Sequence, residues 1–195
     1  MCLVEHMSDK IFITANELLD DSYRLAHQIF DDGFRPHYIV GIWRGGTPVG
    51  IAVQELLEYR GVDTDHIAIR TSSYTGVWEQ SDDIRVHGLH YIIENVNAED
   101  SLLIVDDTFD SGRSVGAVID AIKKLSRANT PKTIKVATIY YKPTKRTVDF
   151  EPDYYVHKTD KWLVFPHELD ALTPEEMRES RPELFDIVYG QASPE

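Results

Sequence analysis

The stretch "LLIVDDTFDSGRSVGAV", residues 102–118, constrains the fold more than any other part of the chain. Leu102 to Val105 form a short apolar run of the kind that makes a buried strand. Val115, Val118, Ile119, Ile122 and Leu125 then recur at helical spacing. A strand running through a tight turn into a helix is a βα unit. Parallel strands need such crossover helices.

Between strand and helix lie Asp106, Asp107 and Asp110, three carboxylates within five residues. They would repel one another at the end of a buried strand unless cations or hydroxyl donors shared the site, and a sugar with vicinal hydroxyls would serve. Ser111, Gly112, Arg113 and Ser114 follow, with hydroxyls, a permissive glycine and successive N–H groups at a helix N-terminus, a ready cradle for phosphate. The plainer alternative is that Asp110 only caps the helix and the other two aspartates are a solvated strand end.

The rest of the chain repeats the alternation. "TANELLDDSYRLAHQIFDDG" predicts a helix with Thr14 and Glu17 as a capping box, ending near Gly33. "HYIVGI", residues 37–42, predicts a strand, and "WRGGTPVGIAVQELLEYRG" a glycine-rich turn and a helix with Thr47 as N-cap and Pro48 at its first position. "HIAIRTSSY" predicts another strand, and "TGVWEQSDDIRVHGLHYII" a long mobile hairpin of the kind that serves as a lid. "TIKVATIYY" supplies the next strand.

The fold class is therefore α/β, a mostly parallel twisted sheet flanked by helices, with ligands beyond the carboxyl ends of the strands. "DYYVHKT" and "KWLVFPHEL" predict a small lobe over that edge, and the sequence from Thr173 one or two short capped helices. The expected organisation is a single domain over residues 1–195. Its core covers about 10–142, the small lobe about 143–172 and a C-terminal helical extension about 173–195.

Composition narrows the function classes. With 195 residues, 42% of them hydrophobic, the chain can bury one sizeable core. A formal net charge of −13 argues against nucleic acid and anionic membranes as partners. Cys2 is the only cysteine, so neither a disulfide framework nor a zinc-thiolate site is expected, and a reducing compartment fits. The start has no signal-peptide pattern and no eighteen apolar residues run together, so a cytoplasmic protein is expected. His87 and His90 lack partner acids or cysteines at ligand spacing and receive no role.

"IVDDTFDSGRS" resembles the phosphoribosyl-pyrophosphate signature of type I phosphoribosyltransferases. "GIWRGGTPVG" resembles the pyrophosphate loop of the purine-salvage members, and "RTSSY" with the polar hairpin their flexible loop. "YKPTKR" followed by "PDYYVHKTDKWLVFP" resembles the base-binding hood of the bacterial hypoxanthine and xanthine-guanine enzymes. The resemblance spans roughly residues 37–170. It implies a type I phosphoribosyltransferase-like fold with a hood lobe and a flexible hairpin loop.

The resemblance also implies roles. Asp110 lies near N7 of the base and takes or shares its proton, a task a carboxylate suits. Asp106 and Asp107 approach the ribose hydroxyls, directly or through Mg²⁺. Arg44 with the N–H groups of Gly45 and Gly46 steadies the leaving pyrophosphate, and Ser111, Gly112, Arg113 and Ser114 hold the 5′-phosphate. Ser72, Ser73 and Tyr74 belong to the closing loop. Lys142 donates to the 6-oxo group, a preference against adenine because an ammonium has only donors. Trp162 stacks on the base beside Leu163.

Two positions depart from the xanthine-guanine pattern. Val164 stands where a glutamate is usual, which makes hypoxanthine relatively more plausible as substrate. Glu168 replaces an aspartate and is a candidate further metal contact with Asp106 and Asp107. The implied cofactor is Mg²⁺, the implied partners are phosphoribosyl pyrophosphate and a purine base, and the implied assembly is a dimer or tetramer. The alternatives are a non-catalytic regulator that binds phosphoribosyl pyrophosphate or nucleotide, and an enzyme for a different base.

Overall fold

The computed structural model describes residues 10–73, 84–170 and 172–190. The chain divides into two compact units, Asn16–Asp160 and Met1–Ala15 with Lys161–Glu195.

The larger unit is built on a six-stranded sheet. In chain order its elements are α1 (Ala15–Asp31, beginning one residue ahead of the unit), β2 (Tyr38–Trp43), α2 (Gly46–Tyr59), β3 (Asp65–Ser73), β4 (Ile84–His87), α3 (His90–Asn95), β5 (Ser101–Phe109), α4 (Arg113–Ser126), a 3₁₀ turn (Arg127–Asn129), β6 (Thr133–Tyr141) and β7 (Tyr154–Lys158). The strand order is β4-β3-β2-β5-β6-β7, parallel throughout except for β4. The chain leaves β2 toward β3 on one side and returns as β5 on the other. The topological switch therefore falls between β2 and β5, and the loops that follow these two strands share the crevice where open α/β sheets bind ligands.

Burial follows from that order. Leu102 to Val105 of β5, in the middle of the sheet, are all fully buried. Val40, Ile42, Leu102, Ile104 and Val136 face one side, where they form a core with Leu89, Ile92 and the α4 residues Val115, Val118 and Ile122. Gly41, on the opposite face, lies against the start of α2. Helices thus cover both faces, as a parallel sheet requires.

Three sequence expectations are corrected here. Thr47 does not cap α2: the helix starts at Gly46 with Gly45 at the N-cap, and the Thr47 hydroxyl is buried without a hydrogen-bond partner. The two glycines let the turn collapse onto β5, so helical geometry begins before the threonine can act. "DYYVHKT" is not part of the small lobe but forms β7 at the edge of the main sheet. Its aromatic composition hid an ordinary edge strand. The apolar end of the hairpin segment forms the short helix α3, which buries Ile92 completely. The expected mobile tip of that hairpin, residues 74–83, lies outside the described residues.

A polar cluster locks β6 and β7 to the end of α1. Lys135 Nζ lies 2.8 Å from Asp32 Oδ2 and 2.6 Å from the Tyr154 hydroxyl, which donates to Asp32 at 2.6 Å. The bonds to Asp32 and Tyr154 push Lys135 up to about 12. Burial, then the bond to Asp32, pushes Tyr154 up to about 12. Both groups hold their protons more tightly folded than unfolded, from ordinary values of 10.5 and 10.0. Their stabilisation is full below about pH 10 and is lost as pH rises through about 12. Denaturant titrations across this range should show stability falling with pH, with a shallower slope in Tyr154→Phe.

The smaller unit pairs β1 (Lys10–Phe12) in parallel with β8 (Trp162–Val164), a strand pairing that the sequence did not reveal. Helices α5 (Pro174–Ser180) and α6 (Pro182–Tyr189) follow. Thr173 and Glu176 form the expected capping box on α5. Lys10 pairs with Glu176 at 2.5 Å.

Candidate active site

The acidic pair at the end of β5 sits directly against the two-glycine turn that follows β2. A Cβ on Gly45 would stand 1.7 Å from Asp107 Oδ2, and one on Gly46 would stand 2.3 Å from the Val105 carbonyl oxygen and 2.9 Å from Asp106 Cα. At Gly46 the atoms met are backbone and cannot swing aside; at Gly45 the Asp107 carboxylate would have to move. The Asp106 carboxylate accepts its neighbour's N–H, Asp107 N, at 3.0 Å, and the Gly46 N–H as well. Burial, then the adjacent Asp107 charge, raises the Asp106 carboxyl well above the usual range.

The Gly46 N–H, which the resemblance assigns to the pyrophosphate, also helps hold the Asp106 carboxylate in its charged form. Arg44 is exposed on the same turn. The Trp43–Arg44 peptide is cis.

Asp110 and Lys142 meet across β5 and β6. The register pairs Phe109 with Tyr141, and Lys142 N donates to the Phe109 carbonyl at 2.9 Å, so the next residues face each other. Lys142 Nζ lies 3.0 Å from Asp110 Oδ2; the lysine side chain is 10% exposed and the aspartate 52%. A donor-only side chain and an acceptor-only side chain thus stand side by side at the carboxyl ends of adjacent strands.

The loop between them and α4 is held in a fixed form. Gly112 has φ +79°, and a Cβ there would stand 2.5 Å from Val148 Cγ2 and 2.6 Å from Phe109 Cζ. The Ser111 carbonyl accepts from Thr147 N at 3.0 Å and from its hydroxyl at 3.2 Å, while Ser111 Oγ accepts from Arg113 N at 3.3 Å. Beyond Arg113, the N–H groups of Ser114 and Val115 open the first turn of α4, where no intrahelical acceptor exists. An anion is favoured there.

Ser72, the last but one residue of β3, has its hydroxyl 3.2 Å from His87 Nε2. The Ser73 backbone pairs with Ile84, and Tyr74 lies outside the described residues. In the smaller unit, Trp162 is 59% exposed while Leu163 and Val164 are buried. Glu168 turns back on its own loop, accepting from Phe165 N at 3.3 Å.

The structure thus brings Arg44, Gly45, Gly46, Asp106, Asp107, Asp110, Lys142 and residues 111–114 to the carboxyl edge of one sheet. Trp162, Leu163 and Glu168 belong to the other unit. The family model for the phosphoribosyl transferase domain matches residues 13–172. The chain belongs to this family.

Relatives of this phosphoribosyltransferase agree. The hypoxanthine-guanine phosphoribosyltransferase of Streptococcus pyogenes is 28% identical over 172 residues, covering 86% of this chain and 88% of its own. The bifunctional protein PyrR of Corynebacterium diphtheriae is 25% identical over 143 residues, covering 69% of this chain and 73% of its own. Among solved structures, the purine phosphoribosyltransferase of Pyrococcus horikoshii superposes with a TM-score of 0.68 at 28% identity, covering 85% of this chain and 98% of its own.

Neither the Asp106 contact with Gly46 nor the facing of Asp110 by Lys142 follows from hydrophobic period or local spacing. Both depend on strand order and register. The only sequence trace of the first is the doubled glycine.

Among the described residues no group of three or more His, Cys, Asp or Glu is gathered around a common point for a metal. The Asp106–Asp107 pair nevertheless fits Mg²⁺. That ion keeps several waters and is bound by one or two carboxylates together with substrate phosphates rather than by an all-protein cage.

Proposed function

We propose that this chain is a Mg²⁺-dependent purine-salvage phosphoribosyltransferase. It transfers the 5-phosphoribosyl group from phosphoribosyl pyrophosphate to a 6-oxopurine, hypoxanthine ahead of guanine and xanthine, and releases pyrophosphate. The observation that carries this reading is the 3.0 Å pairing of Lys142 with Asp110. A 6-oxopurine presents an acceptor at O6 beside the proton-bearing N7. An ammonium and a carboxylate side by side complement that edge, whereas the 6-amino group of adenine would set donor against donor.

Each residue then has a task. Asp110 takes the proton as the base nitrogen bonds to C1′. The turn of residues 111–114 and the first N–H groups of α4 hold the 5′-phosphate. Asp107 and Asp106 address the ribose hydroxyls, and Asp106 also ties the pyrophosphate turn to the strand end. Arg44 steadies the leaving pyrophosphate. Ser72 and Ser73 at the end of β3, with Tyr74 after them, help exclude water, and Trp162 supplies an apolar face for the base beside the buried Leu163. Mg²⁺, when bound, offsets the charge of the pyrophosphate; Asp106 and Asp107 are its carboxylate donors, with Glu168 a further candidate. The enzyme acts in the cytoplasm as a homo-oligomer, without nucleic-acid or membrane partners.

The order among the 6-oxopurines rests on Val164. Its side chain is fully buried, and its carbonyl already accepts from Ile13 N at 3.0 Å and Arg181 Nη2 at 3.3 Å. Neither is open to a 2-amino group, and an unpaired polar group costs about 1–3 kcal/mol. Pyrophosphate release is to be followed with phosphoribosyl pyrophosphate, Mg²⁺ and each of hypoxanthine, guanine, xanthine, adenine and uracil. Turnover is expected with hypoxanthine, with kcat/KM for guanine lower by about tenfold or more, and none with adenine or uracil. No turnover with any 6-oxopurine would sink this reading, and turnover with uracil alone would favour a different base.

A further inference from the structure

We propose that Arg181, beyond the segment matched by the family model, is a positioning residue for the base-binding loop of residues 162–168. The proposal rests on the purine-salvage reading and names a residue that acts within it. The Arg181 guanidinium donates to four carbonyls of that loop. Nη1 reaches Pro166 O at 3.2 Å and Glu168 O at 3.4 Å; Nη2 reaches Val164 O at 3.3 Å and Phe165 O at 2.9 Å. The rigid planar fork suits this many acceptors in a way that a flexible ammonium does not.

The bonds dictate which way the loop faces. In a trans peptide the N–H points opposite the carbonyl. Drawing the carbonyls of residues 164, 165 and 166 toward Arg181 therefore sends the N–H groups of Phe165 and His167 to the other side, Pro166 having none. There the Phe165 N–H meets Glu168 Oε2 at 3.3 Å. One guanidinium thus sets the backbone that follows Trp162 and Leu163 and the carboxylate of Glu168.

Arg181 is itself anchored. It stands at the junction of α5 and α6, its N–H donating to the Met177 carbonyl at 2.8 Å and its carbonyl accepting from Phe185 N at 2.9 Å. No residue of helix α6 is fully buried, and the cation over its Phe185 ring is Arg178 rather than Arg181. Its contacts are to the segment that carries the base-binding residues.

Arg181→Ala and Arg181→Lys are to be compared with the unaltered enzyme in steady-state kinetics and thermal melting. In Arg181→Ala the KM for hypoxanthine is expected to rise about tenfold or more, since small misplacements of binding groups are costly. The KM for phosphoribosyl pyrophosphate should rise clearly less, through Glu168, and kcat should change little. Arg181→Lys should be intermediate, and added guanidinium ion should restore Arg181→Ala in part. An unchanged base KM in the folded variants would overturn the proposal, as would a parallel rise in both KM values. If Arg181→Ala does not fold, a wild-type base KM in Arg181→Lys overturns it. Absence of purine turnover by the unaltered enzyme would instead sink the function reading, and this proposal with it.

Discussion

Asp110→Asn is expected to lower kcat for hypoxanthine by about 10²- to 10⁴-fold, the range contributed by a positioned general base, while phosphoribosyl pyrophosphate still binds. The substitution keeps the shape of the side chain and an oxygen that can accept from Lys142 Nζ, now 3.0 Å away. What it removes is the capacity to take a proton. Because the aspartate side chain is 52% exposed, losing its charge should cost the fold about 1 kcal/mol or less. Single-turnover kinetics together with a binding titration of phosphoribosyl pyrophosphate separate the effects. Unaltered turnover would show that Asp110 is structural; equal loss of turnover and binding would show that the phosphate turn had been disturbed instead.

The second large effect is expected at Gly46. A Cβ there would meet the Val105 carbonyl oxygen at 2.3 Å and Asp106 Cα at 2.9 Å, both backbone atoms of the central strand. Neither can swing aside as a side chain could, so Gly46→Ala must lift the turn away from β5 and strip the Gly46 N–H from Asp106. We expect a loss of about 1–3 kcal/mol in stability from overpacking and, because Arg44 moves with the turn, about 10²-fold in kcat/KM for phosphoribosyl pyrophosphate. Gly50→Ala in the same helix is the control. Its nearest neighbour would be Gly41 Cα at 3.8 Å, an ordinary contact, so alanine should stabilise α2 by about 0.5–1 kcal/mol with little effect on turnover. Melting curves and initial rates for the two variants check the contrast. Equal behaviour of both would refute the packing argument.

These two predictions draw on different kinds of information. Asp110 stood out in the sequence because three carboxylates follow a buried strand, a local pattern that requires charge compensation. The strand Leu102–Val105, the helix from Arg113 and the turn between them were legible for the same reason: each depends on residues within about one helical turn of each other. The capping box at Thr173 and Glu176 was likewise local, and it formed. Where neighbouring structure overrode local preference, the sequence misled. Thr47 has the chemistry of an N-cap, yet the close approach of Gly45 and Gly46 to β5 starts the helix before it. Tyr154–Lys158 read as lobe because edge strands carry no continuous apolar run, and only the pairing with β6 shows where the segment belongs.

By itself, then, the sequence determined the α/β class, the acidic strand end, the glycine-bearing turn that follows it and the residue types available for chemistry, since all of these are set by hydrophobic period and short-range turn preferences. Only the tertiary structure decided that β5 lies between β2 and β6. That order puts the glycine turn against Asp106 and Asp107, and the register sets Lys142 opposite Asp110. It also decided that Arg181 reaches back to the carbonyls of residues 164–168. The reason is physical. Strand order, register and long-range hydrogen bonds arise from burying whole faces of the sheet and satisfying distant backbone groups together, and no short stretch of the chain carries that information.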